Sequence, residues 1–389
     1  MEQKKIFPYF QPIICAANGR IVGYEALARK REHNGKISSA GELFSSSELS
    51  HQALIALDRD VREQALQRFR QMKEPCYLAL NISATWLDYL ADFEALPTLT
   101  MIDRLGIDRR RIVVEITEAK GDLERLVKVV NIYKKNGIKV AIDDFGSGFS
   151  QLERVMSFLP DIIKLDMKLF KAAAKGGIAS DVVHLLSRLA RRTGCRIVCE
   201  GVETPDEFFF GLNCGAQYMQ GYLFSPAVEA FYDTQHFHDK IVDLRQQFLN
   251  KTLVKEQEKI QFICHIKNLI SQLKASVETV VELEKVPTSL FANTGLLRFY
   301  LCNNNGDQIS ANYNFAENQW LVDTEKLGFN WSWREYFYQL RALEVTDSCY
   351  RVVTSDRYRD FSSEVLCKTL SLRLDDNRIL LVDIAADKL

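Results

Sequence analysis

Between Phe7 and Phe231, short apolar runs alternate with longer stretches whose apolar residues recur every three or four positions. The runs lie at 9–14, 21–26, 76–82, 111–117, 139–145, 161–166, 196–201 and 216–224. Most are near-continuous rather than alternating, which is how a strand reads when both of its faces are covered. The intervening stretches, among them 54–69, 123–136 and 178–193, carry the period of amphipathic helices. Asn136-Gly137 and Thr193-Gly194 stand where such helices stop before the next strand. Strand and helix in alternation predict a parallel α/β sheet, and eight strands predict its closure into a TIM-type (β/α)8 barrel.

Beyond this region the period changes. From 234 to 285 a single helical register runs through Ile241, Leu244, Phe248, Leu253, Ile260, Ile266, Leu273 and Val280. It predicts a connecting helix with an apolar stripe, which either forms a dimer seam or packs back on the barrel. After Pro287, strand-like pieces at 296–302, 350–354, 369–374 and 378–384 are separated by turns such as Asn303-Asn304-Asn305-Gly306 and Asp375-Asp376-Asn377. The last two pieces read as a hairpin within a small α+β domain. The expected division is a barrel over 1–233, a helical linker over 234–286 and a third part over 287–389.

Charge excludes more than it reveals. Fifty basic and 51 acidic side chains nearly cancel, so there is no whole-molecule attraction to nucleic acid or anionic membrane. Neither helix-turn-helix nor zinc-finger spacing is present, and no nucleic-acid partner is expected. No run approaches the ~18 apolar residues that span a bilayer, and no apolar leader follows the first charges, so a cytoplasmic protein is expected. The nine cysteines contain no CxxC pair and read as reduced thiols, with Cys195 and Cys199 on one strand face as packing.

The chemistry lies at the strand ends. Glu25, Glu115, Asp143, Asp144, Asp166, Glu200 and Glu203 recur there with Lys164, the side of a parallel barrel where functional groups gather. One buried acid can be a paired core charge. This many would repel one another and take up protons unless cations sat among them, and hard oxygen ligands of this kind suit divalent ions.

The set Glu25-Ala26-Leu27, Asn81-Ile82-Ser83, Glu115-Ile116-Thr117-Glu118, Asp143-Asp144-Phe145-Gly146-Ser147-Gly148, Lys164-Leu165-Asp166, Glu200-Gly201-Val202-Glu203 and Gln220-Gly221 closely resembles the EAL-domain phosphodiesterases that hydrolyse cyclic di-GMP. The resemblance runs from about Phe7 to Pro226. It implies two ions, Mg²⁺ or Mn²⁺, with Ca²⁺ as an inhibitor. Glu25, Asn81, Glu115 and Asp143 match the ligands of one ion, and Asp144 and Asp166 those of the other. Lys164 matches the lysine that orients the attacking water, and Glu200 a base or second-ion ligand. Gln11, Arg29 and Gln220 match positions that hold the substrate's phosphates and guanines. Glu118, Gly146 and Ser147 match a loop linking the metal site to a dimer interface, and Glu203 a support for the ring. Ser147 and Phe149 stand where the family often has threonine and tyrosine. The implied reaction opens cyclic di-GMP to linear pGpG; the alternative is a weak or inactive receptor for the same nucleotide.

In the last part, Trp331, Trp333, Arg334, Tyr336 and Phe337, followed by Tyr350 and Asp360, resemble the ligand-facing segment of PAS or Cache sensor domains. This implies a small anionic ligand and regulation of the barrel, within a homodimer. The same aromatics serve equally as the core of a small domain.

Overall fold

The computed structural model describes residues 6–45, 49–82, 96–116, 123–146, 155, 157–344, 352–360 and 364–386. The chain divides into two compact units, Met1–Leu249 and Asn250–Leu389.

The first unit is built on one sheet of nine strands: β1 (Ile6–Cys15), β2 (Ile21–Arg31), β3 (Ile37–Ser39), β4 (Tyr77–Ile82), β5 (Ile112–Ile116), β6 (Lys139–Phe145), β7 (Ile162–Leu165), β8 (Arg196–Cys199) and β9 (Tyr218–Met219). Their order is β1-β9-β8-β7-β6-β5-β4-β2-β3, and pairing of β1 with β2 closes the sheet into an eight-stranded barrel with β3 hung on β2. The strands from β2 round to β9 pair in parallel. β1 runs against both neighbours, which corrects the expected all-parallel barrel. The cause is the connection: β1 ends at Cys15 and β2 begins at Ile21, and so few residues allow a hairpin but no crossover helix.

Alternation then sorts the side chains. Ile13, Ala79, Val113, Ala141, Ile162, Val198 and Tyr218 fill the barrel interior. Leu78, Leu80, Val114, Ile142, Ile163 and Ile197 point outward beneath the helices. The helix Leu123–Lys135 buries Leu126, Val129, Val130 and Tyr133, one stripe at helical spacing. Ile178–Thr193 buries Val183, Leu186, Ser187 and Ala190 and ends on Gly194 at φ 78°, the left-handed stop its sequence predicts.

The second unit is an antiparallel sheet covered on both faces. β10 (Leu296–Asn303), β11 (Asn312–Ala316), β12 (Gln319–Asp323), β13 (Val352–Thr354), β15 (Leu366–Arg373) and β16 (Arg378–Ala385) run in the order β12-β11-β10-β16-β15-β13, with β14 (Tyr358–Arg359) on β15. The expected hairpin is β15–β16. Phe299, Leu301, Leu370, Leu380 and Val382 meet Ile266, Leu269, Ile270, Leu273 and Val277 of the helix His238–Thr279. Tyr300, Cys302, Ile379 and Leu381 face the other way, onto Tyr336, Phe337 and Leu340 of the helix Glu335–Glu344. The long helix is therefore shared: its far half is a core layer of the second unit rather than a free connector. Among the described residues, no helix is long and apolar enough to cross a membrane.

Gly23 marks how tightly the barrel interior is filled, because a Cβ there would stand 2.5 Å from the Tyr77 ring. Gly23→Ala should lower the unfolding free energy by about 1–3 kcal/mol, the usual cost of overpacking, as read by chemical denaturation. An unchanged midpoint would show that Tyr77 moves aside freely.

Candidate metal centre at the barrel rim

The site follows from the interior layer by counting. Two residues further along each parallel strand direction, at the C-terminal rim, Ala79 leads to Asn81, Val113 to Glu115, Ala141 to Asp143, Ile162 to Lys164, Val198 to Glu200 and Tyr218 to Gln220. Gly23 leads to Glu25 in the same way. On reversed β1 the count runs backward, from Ile13 to Gln11, which pairs directly with Glu25. A period of two thus sends all eight polar side chains into one ring above an apolar plug.

Lys164 stands at the centre, 1% exposed. Its Nζ lies 3.1 Å from Glu25 Oε2, 2.8 Å from Glu115 Oε2, 2.8 Å from Asp143 Oδ1 and 2.7 Å from Glu200 Oε1. An ammonium has three hydrogens, so four carboxylates cannot all be served. Asp143 Oδ1 is the buried oxygen left in ion-pair contact with no hydrogen bond of its own. Burial alone would favour a neutral amine, yet Asp143, Glu115, Glu200 and Glu25 together hold the Lys164 ammonium well above the ordinary lysine value. Lys164 is a fixed positive charge.

The acids divide by their partners. Burial works against ionised Glu25, but the Lys164 charge and hydrogen bonds from Asn81 Nδ2 at 2.8 Å and Gln220 Nε2 at 2.7 Å hold it below the usual range. Glu115 receives its hydrogen bond from Lys164 alone among the described residues. Burial and the charges of Glu25 and Asp143 push it well above the usual range. Asp143 is raised by burial and by Glu25. Glu200 is pushed to about 8 by burial, Asp143 and Glu25. Asp144 is pushed to about 6 by burial and by Asp143 beside it. Fully ionised, these five acids would hold more negative charge than one ammonium neutralises, and the raised proton affinities are the consequence.

Asp144 owes its place to the backbone. Pairing of β6 with β7 slips between Ile142 and Phe145, and Asp144 sits in the left-handed region at φ 51°. Strict alternation would send two consecutive aspartates to opposite faces. The bulge turns the second one back to the rim, a strained conformation of the kind found at functional sites. The Asp143-Asp144 doublet is the sequence signal for it. Next to it, Gly146 at φ 112° has no room for a Cβ, which would lie 2.2 Å from Leu169 Cδ2.

Oxygens of Glu25, Glu115 and Asp143 lie within 4.8 Å of one another, and so do oxygens of Asp143, Asp144 and Glu200. This all-oxygen donor set, with Asp143 Oδ1 unserved, fits hard divalent cations. Asp166 is placed differently from that pair of triads: its Oδ1 caps the helix Met167–Ala174, accepting from Lys168 N at 3.0 Å and Leu169 N at 3.1 Å. It is near enough to raise Asp144 electrostatically. Glu203 does not support the ring. Its carboxylate is exposed and pairs with Lys171 Nζ at 2.7 Å, because the turn after Glu200 carries it outward. Glu118 and Ser147 lie outside the described residues.

The substrate-binding candidates cluster too. Gln220 Nε2 also donates to Gln11 Oε1 at 3.1 Å, and Gln11 Nε2 donates to the Ser225 carbonyl at 3.2 Å, a contact the sequence does not announce. This arrangement leaves Gln220 Oε1 buried without a hydrogen-bond partner. Arg29, four residues past Glu25 on the same face of β2, is half-buried and, among the described residues, gives one hydrogen bond, from Nη1 to the Ala28 carbonyl.

Protons bound by the crowded acids generate a pH prediction. Folded, metal-free protein keeps protons on Glu200 up to about 8 and on Asp144 up to about 6, whereas the unfolded chain releases them near ordinary carboxylate values. The folded state therefore binds more protons, and its stability should fall as pH rises through this range. Thermal melts should show the decline, and Mn²⁺ should raise the melting temperature more at about pH 8 than at about pH 5. A flat profile, or equal stabilisation at both pH values, would contradict it.

Comparison with known proteins agrees with this geometry. Residues 1–227 match the EAL domain, and residues 231–389 match the EAL-domain associated signalling protein domain, which replaces the PAS or Cache label for that part. The uncharacterized EAL-domain containing protein YkuI of Bacillus subtilis is 27% identical over 391 residues, 97% of this chain and 94% of the relative. The crystal structure of YkuI, in complex with substrate c-di-GMP and calcium, superposes with a TM-score of 0.84 at 26% identity, covering 98% of this chain and 96% of YkuI. Cyclic di-GMP phosphodiesterase PdeL of Escherichia coli is 28% identical over 234 residues, 59% of this chain and 64% of PdeL. The manganese and cyclic di-GMP complex of Klebsiella pneumoniae BlrP1 matches 59% of this chain and 57% of its own at 26% identity, with a TM-score of 0.51. A rim of acids around one buried lysine on a barrel with a reversed first strand, in a sequence matched from residue 1 to 227, places the chain in the EAL-domain family.

Proposed function

We propose that this protein hydrolyses cyclic di-GMP to linear pGpG with the help of divalent cations, Mg²⁺ or Mn²⁺. The observation that carries the reading is the ring of Glu25, Glu115, Asp143, Asp144 and Glu200 around Lys164, whose negative charge one ammonium does not balance. Glu25, Asn81, Glu115 and Asp143 would hold one ion, and Asp144, Asp166 and Glu200 the other. Bound there, such ions supply Lewis acidity toward phosphate oxygens and a water that ionises near neutral pH.

The chain's own groups have separable tasks. Lys164, held protonated, cannot serve as a base; with one of its four carboxylate contacts given up to a bound cation, it would have an N–H to donate to the attacking water. Glu200, its Oε1 2.7 Å from Lys164 Nζ, would receive the water's proton as the new O–P bond forms, while the ester O–P bond breaks and the leaving ribose oxygen takes up a proton from solvent. Arg29 offers a planar fork to a phosphate. The unpartnered Gln220 Oε1 offers an acceptor to a guanine N–H, with Gln11 fixing its amide.

The second unit is proposed to regulate the barrel within a homodimer. Support for self-association comes from Leu249, Leu253, Val254 and Ile260, all about half exposed along the helix His238–Thr279.

Purified full-length protein should convert cyclic di-GMP to pGpG in Mg²⁺ or Mn²⁺, followed by chromatography. Glu25→Ala should lower turnover by about 100-fold or more while leaving the melting temperature of the second unit's transition in place. Tight nucleotide binding without turnover in either metal would overturn the hydrolase and favour a receptor.

A further inference from the structure

The second unit contains a cavity of about 290 Å³ on the sheet face that carries Arg298 and Tyr300, near the helix Glu335–Glu344. Its size is at the small end of ligand pockets, about 300–1,000 Å³.

The charges around it are unequally served. Arg298, on the floor, has two acid partners: its Nε lies 2.9 Å from Asp383 Oδ2 in an ion pair, though without a hydrogen bond of its own, and its Nη2 pairs with Asp360. Asp383 further accepts from Thr369 Oγ1 at 2.7 Å. Lys326 is matched by Glu325 at 2.7 Å. Arg334 is the exception. Its guanidinium stacks on the Trp333 ring at 4.4 Å and lies 5.4 Å from the Tyr358 centroid. Among the described residues no carboxylate or carbonyl accepts from it, and its Nε is buried with no partner. Stacking fixes the plane of the fork and leaves its N–H edge unclaimed, which a ligand oxygen would satisfy.

Most of the remaining lining is aromatic, Phe329, Trp331, Tyr336 and Tyr358, beside Asn312 and Asn330, whose amide nitrogen already donates to Asn305 O and Asp307 Oδ1. Trp331 directs its N–H to Gln308 Oε1 at 3.0 Å, so its ring meets the cavity with its polar atom already satisfied. Asn312 is buried, and its Oδ1 is taken by Gln308 Nε2 at 3.0 Å, which leaves its NH₂ as a further donor. The unmatched polarity is thus one of donors and positive charge within aromatic walls.

We propose that this cavity is a receptor site for a small planar aromatic carboxylate, its carboxylate seated on the Arg334 fork and its ring among Phe329, Trp331 and Tyr336. The site is separate from the chemistry of the barrel and does not depend on it. Both acids of the cavity are committed to Arg298, which disfavours a cationic ligand.

The test is a titration of the full-length chain with sodium benzoate, followed by tryptophan fluorescence and calorimetry. Benzoate should bind saturably with a Kd of about 1 mM or tighter, and benzamide and acetate each at least about 10-fold more weakly. Arg334→Gln should weaken benzoate at least about 10-fold, and Arg334→Lys should recover part of that loss. Trp333→Leu, at an exposed position that tolerates exchange, should also weaken it, and this variant decides the matter if Arg334→Gln fails to fold. Absence of saturation by benzoate at about 10 mM would overturn the proposal. So would benzamide or acetate binding as tightly as benzoate, or wild-type affinity in a folded Arg334→Gln or in Trp333→Leu.

Discussion

The Lys164 ammonium among three buried carboxylates and the partly buried Glu200 is the interaction on which the barrel rim depends. Without it Glu25, Glu115, Asp143 and Glu200 would face one another across an apolar cavity, and such crowding in low dielectric drives carboxylates to take up protons. With it the ring is gathered but not balanced as long as all four acids are ionised, because three N–H groups cannot satisfy four acids and one charge cannot cancel four. Protons or cations must supply the rest. This incomplete neutralisation is what distinguishes the rim from a structural ion pair and carries the proposal of a cation site.

The barrel determines that the ring exists at all. Each strand offers one interior residue in the apolar plug and, two positions later, one at the rim. Deviations from this rule are informative. The slip after Ile142 adds Asp144 to the ring, and the reversal of β1 brings Gln11 up beside Gln220, where it orders the amide next to Glu25. The acids of the ring and the amides of Gln11 and Gln220 thereby stand on one layer of a rigid frame, where the proposed metal ligation and base recognition would meet.

Most of this layer was legible in the chain. Near-continuous apolar runs ending in an acid, an amide or a lysine reveal both the strands and the side chains at their ends, and the strand predictions fall on β1, β2 and β4 to β9. What was hidden has physical reasons. The direction of β1 depends on the length of one connection, not on strand composition. Glu203 follows Glu200 in a motif, but the turn between them rotates it onto Lys171. Asp166 sits at a strand end that is also a helix start, so capping claims one of its oxygens. In the second unit, β12 lies at the sheet edge with β11 beside it, and both are short and mostly incompletely buried, so neither shows the continuous apolar run that betrays a central strand. The long helical register concealed its own division between the two units, since an apolar stripe reads alike whether it meets a partner chain or a sheet.

The central claim is that protons and divalent cations compete for the same crowded oxygens. Calorimetric titration of the metal-free chain with Mn²⁺ near neutral pH, repeated in two buffers of different ionisation enthalpy, measures that competition directly. Binding should be saturable, and the apparent enthalpy should differ between buffers by an amount corresponding to release of about one proton or more. No binding at millimolar Mn²⁺, or binding with the same enthalpy in both buffers, would contradict the account.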